Sequence, residues 1–475
     1  MKSVLVTALG VLVTLAAAGC TASRQDVYGV EVAAPPRPHP EATLSATTGE
    51  AAPASQEAPD AKDREAPLTL AQCVDRALKN NPDIAQKGWD TKTALAEEDI
   101  AQGALWPTVH AGGGYTHSRE DRLIKPRRPG GRDVLGFSDN LLFGEIALSM
   151  PLYTGGRLRN QVKAAELLTR SAQQRLARSR VELVFNVSSV FYAMLGQQEV
   201  INSLIFSQKT LEEHHKRAKE LLDAQKAARV DLLRTQVRLA DIEQQLLRER
   251  NVLDIQGFVL ASLLGRGTED KSVAIRGELT LRDVPASLDR ALRAAFDNRH
   301  DYQALQFRVG AQRKRLDIAK AGRLPEVSLR SSYGSRWDSD DVDEDNEVGE
   351  VGVVLDMPLF EGGRIDARIR RERSRLSAEE EAFRKLRLQI QLEVQTATSN
   401  IESTRARVGV TEKAVEQAKE SLRIEREKYD LGKGAIVDVL DAQSALLNSQ
   451  MNYYRALADY NTALAQFRLA VGETQ

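Results

Sequence analysis

Immediately after Pro107 the hydrophobic pattern takes a period of two, with Val109, Ala111, Gly113 and Tyr115 on one face. The same alternation follows Pro325, where Val327, Leu329, Ser331 and Tyr333 share a face. A second alternating run closes each passage. Ile146, Leu148 and Met150 lie opposite Glu145 and Ser149, while Val351, Val353, Leu355 and Met357 lie opposite Glu350 and Asp356. These runs predict β-strands over 107–118, 141–151, 325–336 and 348–358. About ten residues with one apolar face is the pattern of a membrane-spanning strand. A strand half-buried in a soluble sandwich alternates in the same way, but the chain holds no further strands to build one.

Elsewhere the period is 3.6. Short helices are expected over Leu70 to Asn80 and Leu288 to Asn298, each followed by a helix led by Asp83 or Asp301. Those second helices stop at Trp106-Pro107 and Leu324-Pro325, because the residue before a proline is pushed out of the helical region. Past the glycine pairs Gly155-Gly156 and Gly362-Gly363, apolar residues recur at helical spacing without a proline over 156–225 and 363–431. Roughly 70 helical residues span ~105 Å. Return helices follow over 229–265 and 435–471. A return helix of ~55 Å and a preceding helix of ~32 Å, laid end to end, approach the length of the long helix. Each half therefore reads as one continuous rod beside one composite rod, with the loose stretch from Gly265 to Pro285 and the C-terminal tail at the waist.

The two halves are copies. MPLYTGGR, Met150 to Arg157, returns as MPLFEGGR, Met357 to Arg364. In that register Asp223, Val230, Asp231 and Gln236 fall opposite Asp430, Val437, Asp438 and Gln443, and Gly265 falls opposite Gly472. Upstream, a second constant spacing pairs Leu70 with Leu288, Asp83 with Asp301, Pro107 with Pro325 and Tyr115 with Tyr333. The chain is a tandem duplication, with repeats over 67–285 and 286–475. The expected fold class is mainly α with a small β part: duplicated long-helix hairpins forming an α-helical barrel, plus four strands per chain.

Composition narrows the setting. With 66 basic and 67 acidic residues interleaved along helices, the net charge is −1, and no nucleic-acid footprint is present. Lys2, an apolar run from Val4 to Ala18, and Gly19-Cys20 form the pattern of a lipoprotein signal over 1–19 with acylation at Cys20. Secretion with cleavage after one of the alanines is the alternative. Residues 20–66 are rich in Ala, Pro, Glu, Thr and Ser, and are expected to form a flexible tether. The remaining cysteine, Cys73, has no disulfide partner once Cys20 is acylated, and is expected half-buried on the first short helix.

No catalytic or cofactor constellation emerges, and no enzyme is expected. The six histidines are scattered, and adjacent His214 and His215 cannot chelate as an i, i+4 pair. The GGR segments lack the spacing of a phosphate loop and read as strand-to-helix turns at Gly155, Gly156, Arg157, Gly362, Gly363 and Arg364. The acidic loop from Asp338 to Glu347 lacks the glycine and glutamate of a calcium loop and, like the basic loop from Arg119 to Asp133, reads as solvated.

Lipid tolerates strands only in a closed barrel, and the smallest barrels need about eight. Four strands per chain must therefore combine with those of other copies, and a three-fold assembly would supply twelve. The same closure would gather the helices into a tube. A periplasmic coiled-coil lipoprotein acting as scaffold or spacer is the alternative from another class. It explains the rods and Cys20 but not four matched strands.

The repeated MPL-aromatic-x-GGR, the helix-Pro-strand passages, and YDLGKGAIVDVLDAQ from Tyr429 to Gln443 together resemble the TolC-like outer-membrane efflux family, in its lipoprotein branch. The resemblance covers about residues 68–472. It implies a homotrimer with a 12-stranded β-barrel in outer-membrane lipid and an α-helical barrel in the periplasm. The closed tip would meet a periplasmic adaptor that joins it to an inner-membrane pump, making the chain the exit duct of a tripartite efflux or type I secretion system. By the same resemblance Tyr429, Asp430, Gly432, Lys433, Gly434, Asp438 and Asp441, with Asp223 and Asp231 in the first copy, would dock the adaptor and hold the pore shut.

These tip residues also have a local reading. Gly432 and Gly434 suit the backbone angles that end a helix and reverse the chain, and Asp438 suits a cap on the next helix. Gln225 and Ala227 replace the two glycines in the first copy, so a wider turn is expected there. Asp430, Asp438 and Asp441, tripled by symmetry, would form an acidic ring that favours cations, unless each serves as a cap or an interhelical ion pair.

Overall fold

The computed structural model describes residues 67–123, 137–223, 228–267, 273–281, 287–338 and 347–473. The signal over 1–19, Cys20 and the tether over 20–66 lie outside the described residues. So do most of the basic and acidic loops between the strands.

The first half runs α1 (Leu70–Asn80), α2 (Pro82–Gly103), β1 (Thr108–Leu123), β2 (Phe137–Tyr153), α3 (Arg157–Asp223) and α4 (Arg229–Leu263). The second runs α5 (Leu288–Asn298), α6 (His300–Ala321), β3 (Glu326–Asp338), β4 (Glu347–Asp356), α7 (Arg364–Asp430) and α8 (Ile436–Val471). Corresponding helices match in length: 11 residues for α1 and α5, 22 for α2 and α6, 67 for α3 and α7. The return helices have 35 and 36.

Local chemistry sets the starts. Thr69 caps α1 reciprocally, its hydroxyl accepting from the Gln72 N–H while the Gln72 side chain accepts from the Thr69 N–H. Asn81 caps α2 just ahead of Pro82, whose ring fits the first helical position. The two long helices are flanked by shorter ones unequally. Toward the strands α3 packs against α2 and α6, and toward the far end against α4 and α8. Likewise α7 packs against α6 and then α8.

The waist of each half is an apolar cluster. In the first, Cys73 and Ala77 of α1 meet Val187, Phe191 and Met194 of α3 and Leu260 and Leu264 near the end of α4. Cys73 is fully buried rather than half-buried, because α1 lies with its apolar side flat against α3, and burial pushes its thiol up to about 11 against the lowering charges of Arg76 and Arg266. The stretch after α4 also belongs here: Leu68 and Ile275 form a parallel bridge, and the Leu68 N–H donates to the Ala274 carbonyl at 2.9 Å. In the second half Ala291 and Ala295 of α5 meet Ile390, Val394 and Ala397 of α7 and Tyr460, Leu464 and Phe467 of α8.

The four strands form one antiparallel sheet in the order β1-β2-β3-β4. Three strands are longer than the expected ten residues, at 16, 17 and 13. The β1–β2 ladder resumes past an irregularity between His117 and Arg122, so polar residues that read as loop continue the pairing. β4 instead ends at Asp356, two residues ahead of Pro358, which has no N–H to donate.

Candidate functional site

Three places on this frame carry the expected site residues: the sheet, the strand-to-helix turns and the far tips.

The register of the sheet gathers apolar side chains on one face. Val109 stands opposite Leu148, Ala111 opposite Ile146 and Tyr115 opposite Leu142; Ile146 and Leu142 stand in turn opposite Tyr333 and Trp337. Across β3 and β4, Leu329 faces Val353 and Val327 faces Leu355. Among the described residues nothing covers this band: Val351 is 75% exposed and Ile146 56%. The alternate positions bring His110, Glu145, Arg330, Ser332 and Glu350 to the other face. An uncovered apolar face backed by a polar one is what a lipid-facing barrel wall requires. β1 and β4 each pair on one side only. Among the described residues, no helix is long and apolar enough to cross a membrane.

The turns at Gly155, Gly156, Gly362 and Gly363 are left-handed, with φ of 59°, 82°, 58° and 76°. An L side chain is strained there, which explains the paired glycines in both copies. Arg157 then clamps the start of β3, its Nε and Nη2 donating to the Glu326 carboxylate at 2.8 and 3.0 Å. Arg364, its counterpart, meets Glu361 at 3.4 Å.

At the second tip the Lys433 N–H donates to the Lys428 carbonyl at 2.8 Å across Gly432, whose φ is 69°. This closes the end of α7 as a glycine-terminated helix. Gly434 acts differently from the expectation. Its φ is not left-handed; glycine fits because an added Cβ would stand 3.1 Å from the Lys428 Cβ and 3.2 Å from the Tyr429 nitrogen. Asp438 accepts from the Ala435 N–H at 3.3 Å, completing the cap on α8. Lys433 is exposed at the turn.

Asp430 and Asp441 form interhelical ion pairs, with Arg217 of α3 at 3.2 Å and Arg238 of α4 at 3.6 Å. Tyr429 lies partly buried against an apolar cluster near the tips that includes Leu211 of α3, Leu422 of α7 and Val439 of α8, and burial together with the Asp231 carboxylate pushes its phenol above the ordinary value. At the first tip, Asp231 pairs along its own helix with Arg234 at 3.7 Å and Asp223 stands exposed at the end of α3, while Gln225 and Ala227 lie outside the described residues.

Arg217 and Arg238 carry no local signal as tip residues, because the partner of each lies on another helix, and the burial of His214 is equally non-local. Burial, then the charges of Arg426 and Arg217, hold His214 below its ordinary value, against the raising charges of Glu213 and Asp430. His214 Nε2 and His215 Nδ1 are buried without a hydrogen-bond partner. Among the described residues no three His, Cys, Asp or Glu side chains converge to hold a metal ion.

Against known families, residues 73–266 and 291–473 match the model of the outer membrane efflux proteins, one match per repeat. The chain belongs to that family. TolC of Vibrio cholerae is 22% identical over 409 residues, covering 85% of this chain and 90% of that protein. OprJ, an outer membrane protein of Pseudomonas aeruginosa, is 24% identical, covering 85% and 84%. The crystal structure of VceC, an outer membrane protein of Vibrio cholerae, superposes with a TM-score of 0.72 at 19% identity over 85% of this chain and 96% of that one. The open-state MtrE outer membrane channel of Neisseria gonorrhoeae gives 0.72 at 18% identity over 85% and 89%. The fold is thus that of outer-membrane channels, and the family is one of channel proteins.

Proposed function

We propose that this chain is the outer-membrane exit duct of a tripartite efflux or type I secretion system. Three copies would close twelve strands into a barrel and their helices into a periplasmic tube. The tube would meet a periplasmic adaptor at its tip, and through it an inner-membrane pump that supplies the energy. The chain itself would catalyse no reaction. Cys20 would carry the acyl chains that anchor each copy to the outer membrane.

The observation that carries this reading is the sheet: an uncovered apolar face together with two edge strands each paired on one side only, neither of which water accommodates cheaply. A periplasmic scaffold gives that face no role. The relatives, outer-membrane channels in the words of their solved structures, support the same reading.

The purified, acylated protein is expected to be a trimer that conducts ions in a planar lipid bilayer. A stable monomer, or a trimer without conductance, would overturn the reading. Labelled palmitate should enter the wild-type chain and not Cys20→Ala; equal labelling would remove the anchor.

A further inference from the structure

The uncovered apolar face of the sheet continues past the ends of the strands. All four strand–helix junctions lie at one end of the sheet, because each hairpin is entered from a helix and left into one. There Leu359 and Phe360 are each 89% exposed and Trp106 is 70% exposed, with Leu152 and Tyr153 open beside them. A rim of aromatic and large apolar side chains below an apolar band marks the level at which hydrocarbon gives way to headgroups.

Cations follow directly. Of the twelve residues from Arg364 to Arg375 that open α7, six are arginines, and all six are exposed. The duplicated frame does without them: Arg368, Arg371 and Arg375 correspond to Gln161, Ala164 and Leu168 at the start of α3, and Lys320 near the end of α6 corresponds to Gln102. Carboxylates do not use them up. Glu361 takes Arg364 at 3.4 Å and Glu372 takes both Arg371 and Arg375, at 2.8 and 3.0 Å, while Arg368 meets no carboxylate among the described residues.

These cations share one side. Arg368 and Arg375 stand 18 residues, five whole turns, before Leu386 and Glu393, and so lie on their side of α7. Leu386 packs with the α5 cluster and Glu393 binds Arg299. Lys320 likewise stands five turns beyond Tyr302, which packs on Phe296 of α5. In a closed tube α5 can only lie outside, since inside it would fill the bore. Arg370 and Arg373 point to another side, that of the exposed Leu388 and Gln391. Side chains of a helix tilt toward its N-terminus, which on α7 is the sheet end, so the outward arginines lean back toward the rim. Arg368 lies about 6 Å and Arg371 about 10 Å along the axis from Arg364, within reach of a headgroup layer roughly 5–7 Å thick.

We propose that Arg364, Arg368, Arg371 and Arg375 of α7, with Lys320 of α6, form an outward collar that binds the phosphates of anionic phospholipids, phosphatidylglycerol or cardiolipin, in the leaflet bordering the helical tube. This rests on the membrane duct proposed above and adds a lipid partner to it. The guanidinium fork suits a phosphodiester, because it donates two parallel hydrogen bonds to two oxygens of one phosphate.

Arg368→Gln with Lys320→Gln removes two outward cations and leaves the buried Glu372 both of its partners. Trimers released from vesicles of phosphatidylethanolamine mixed with phosphatidylglycerol or cardiolipin, weighed by native mass spectrometry, should retain the anionic lipid in preference. The double variant should retain it less, by about fivefold for each cation removed per copy. Arg370→Gln with Arg373→Gln takes the same charge from another side of α7 and should match wild type. An equal loss in both double variants, or no anionic preference in wild type, would overturn the collar, while trimers that still conduct ions would leave the duct standing. Loss of the trimeric mass by the first variant in lipid-free detergent would assign its cations to subunit packing and likewise overturn the collar. A monomeric wild type would overturn both.

Discussion

Asn81 and Arg299 occupy the same place in the two halves, between the short helix and the one that rises to the strands, yet they hold it by different chemistry. The Asn81 side-chain oxygen caps α2, accepting from the Asp83 and Ile84 N–H groups at 2.9 and 3.3 Å, while its amide donates to the Leu263 carbonyl at 3.0 Å. Arg299 reaches the matching carbonyl, that of Ala470, at 3.3 Å, but does so with a guanidinium only 1% exposed. Its remaining donors go to Asp301 at 3.0 and 2.6 Å and to Glu393 of α7 at 2.6 Å. A neutral amide joins two elements at the first waist. At the second, one cation gathers α6, α7 and α8. Duplicated backbones thus keep a tie between the same two places while the side chain that makes it, and its dependence on charge, diverge.

The largest effect should come from Arg299→Ala, which leaves Glu393 without its cation and Asp301 with only the more distant Arg178, 4.0 Å away. A loss of about 3–5 kcal/mol is expected for one partner removed from a buried ionic cluster, read as a lower denaturant midpoint. A loss no larger than that of Asn81→Ala would break the comparison. Acid should separate the two waists next. Burial pushes the Asp301 carboxyl up, but the Arg299 hydrogen bond, the charges of Arg178 and Arg299, and the Tyr302 N–H together bring it below the ordinary value. Its folded value is depressed, so its contribution is complete above the ordinary carboxylate range and is lost as pH falls through about 4 and below. Arg299→Ala should flatten that part of the stability–pH curve, and Asn81→Ala should leave it unchanged.

Asn81→Ala removes a cap and a long-range tie and should cost about 1–2 kcal/mol. The smallest effect belongs to the tips. Arg217 meets Asp430 at the second tip, whereas the matching residues of the other half, Ile424 and Asp223, cannot form such a pair. Both partners are more than half exposed, so Arg217→Ala should shift stability by under about 0.5 kcal/mol; a shift several times larger would mean that the pair is shielded in the assembled tube.

The periods of two and 3.6, the proline stops and the glycine pairs were legible in the sequence because each is a local rule. Pro107 and Pro325 bar further winding by sterics with their own neighbours, although the helices proper end three residues before the expected stops, at Gly103 and Ala321, and a last looser turn fills the gap. Strand ends were not legible: the ladder past His117 depends on which residues of β2 are still within reach. Arg299 was equally hidden, since Glu393 and Ala470 lie 94 and 171 residues away along the chain. Gly434 shows a subtler limit. Its identity signals an unusual demand on the backbone, but close approach and a left-handed turn both select glycine, and only the fold tells them apart.

A composite rod beside an unbroken one has a mechanical consequence. To flex α3 or α7 midway, a run of intrahelical hydrogen bonds must be strained. The seam where α4 ends against α2, or α8 against α6, can yield without touching one of them, because no helical turn crosses it. Bending is thereby favoured at two joints per copy, each tied across the seam by a different side chain, an amide in one and an ionic knot in the other.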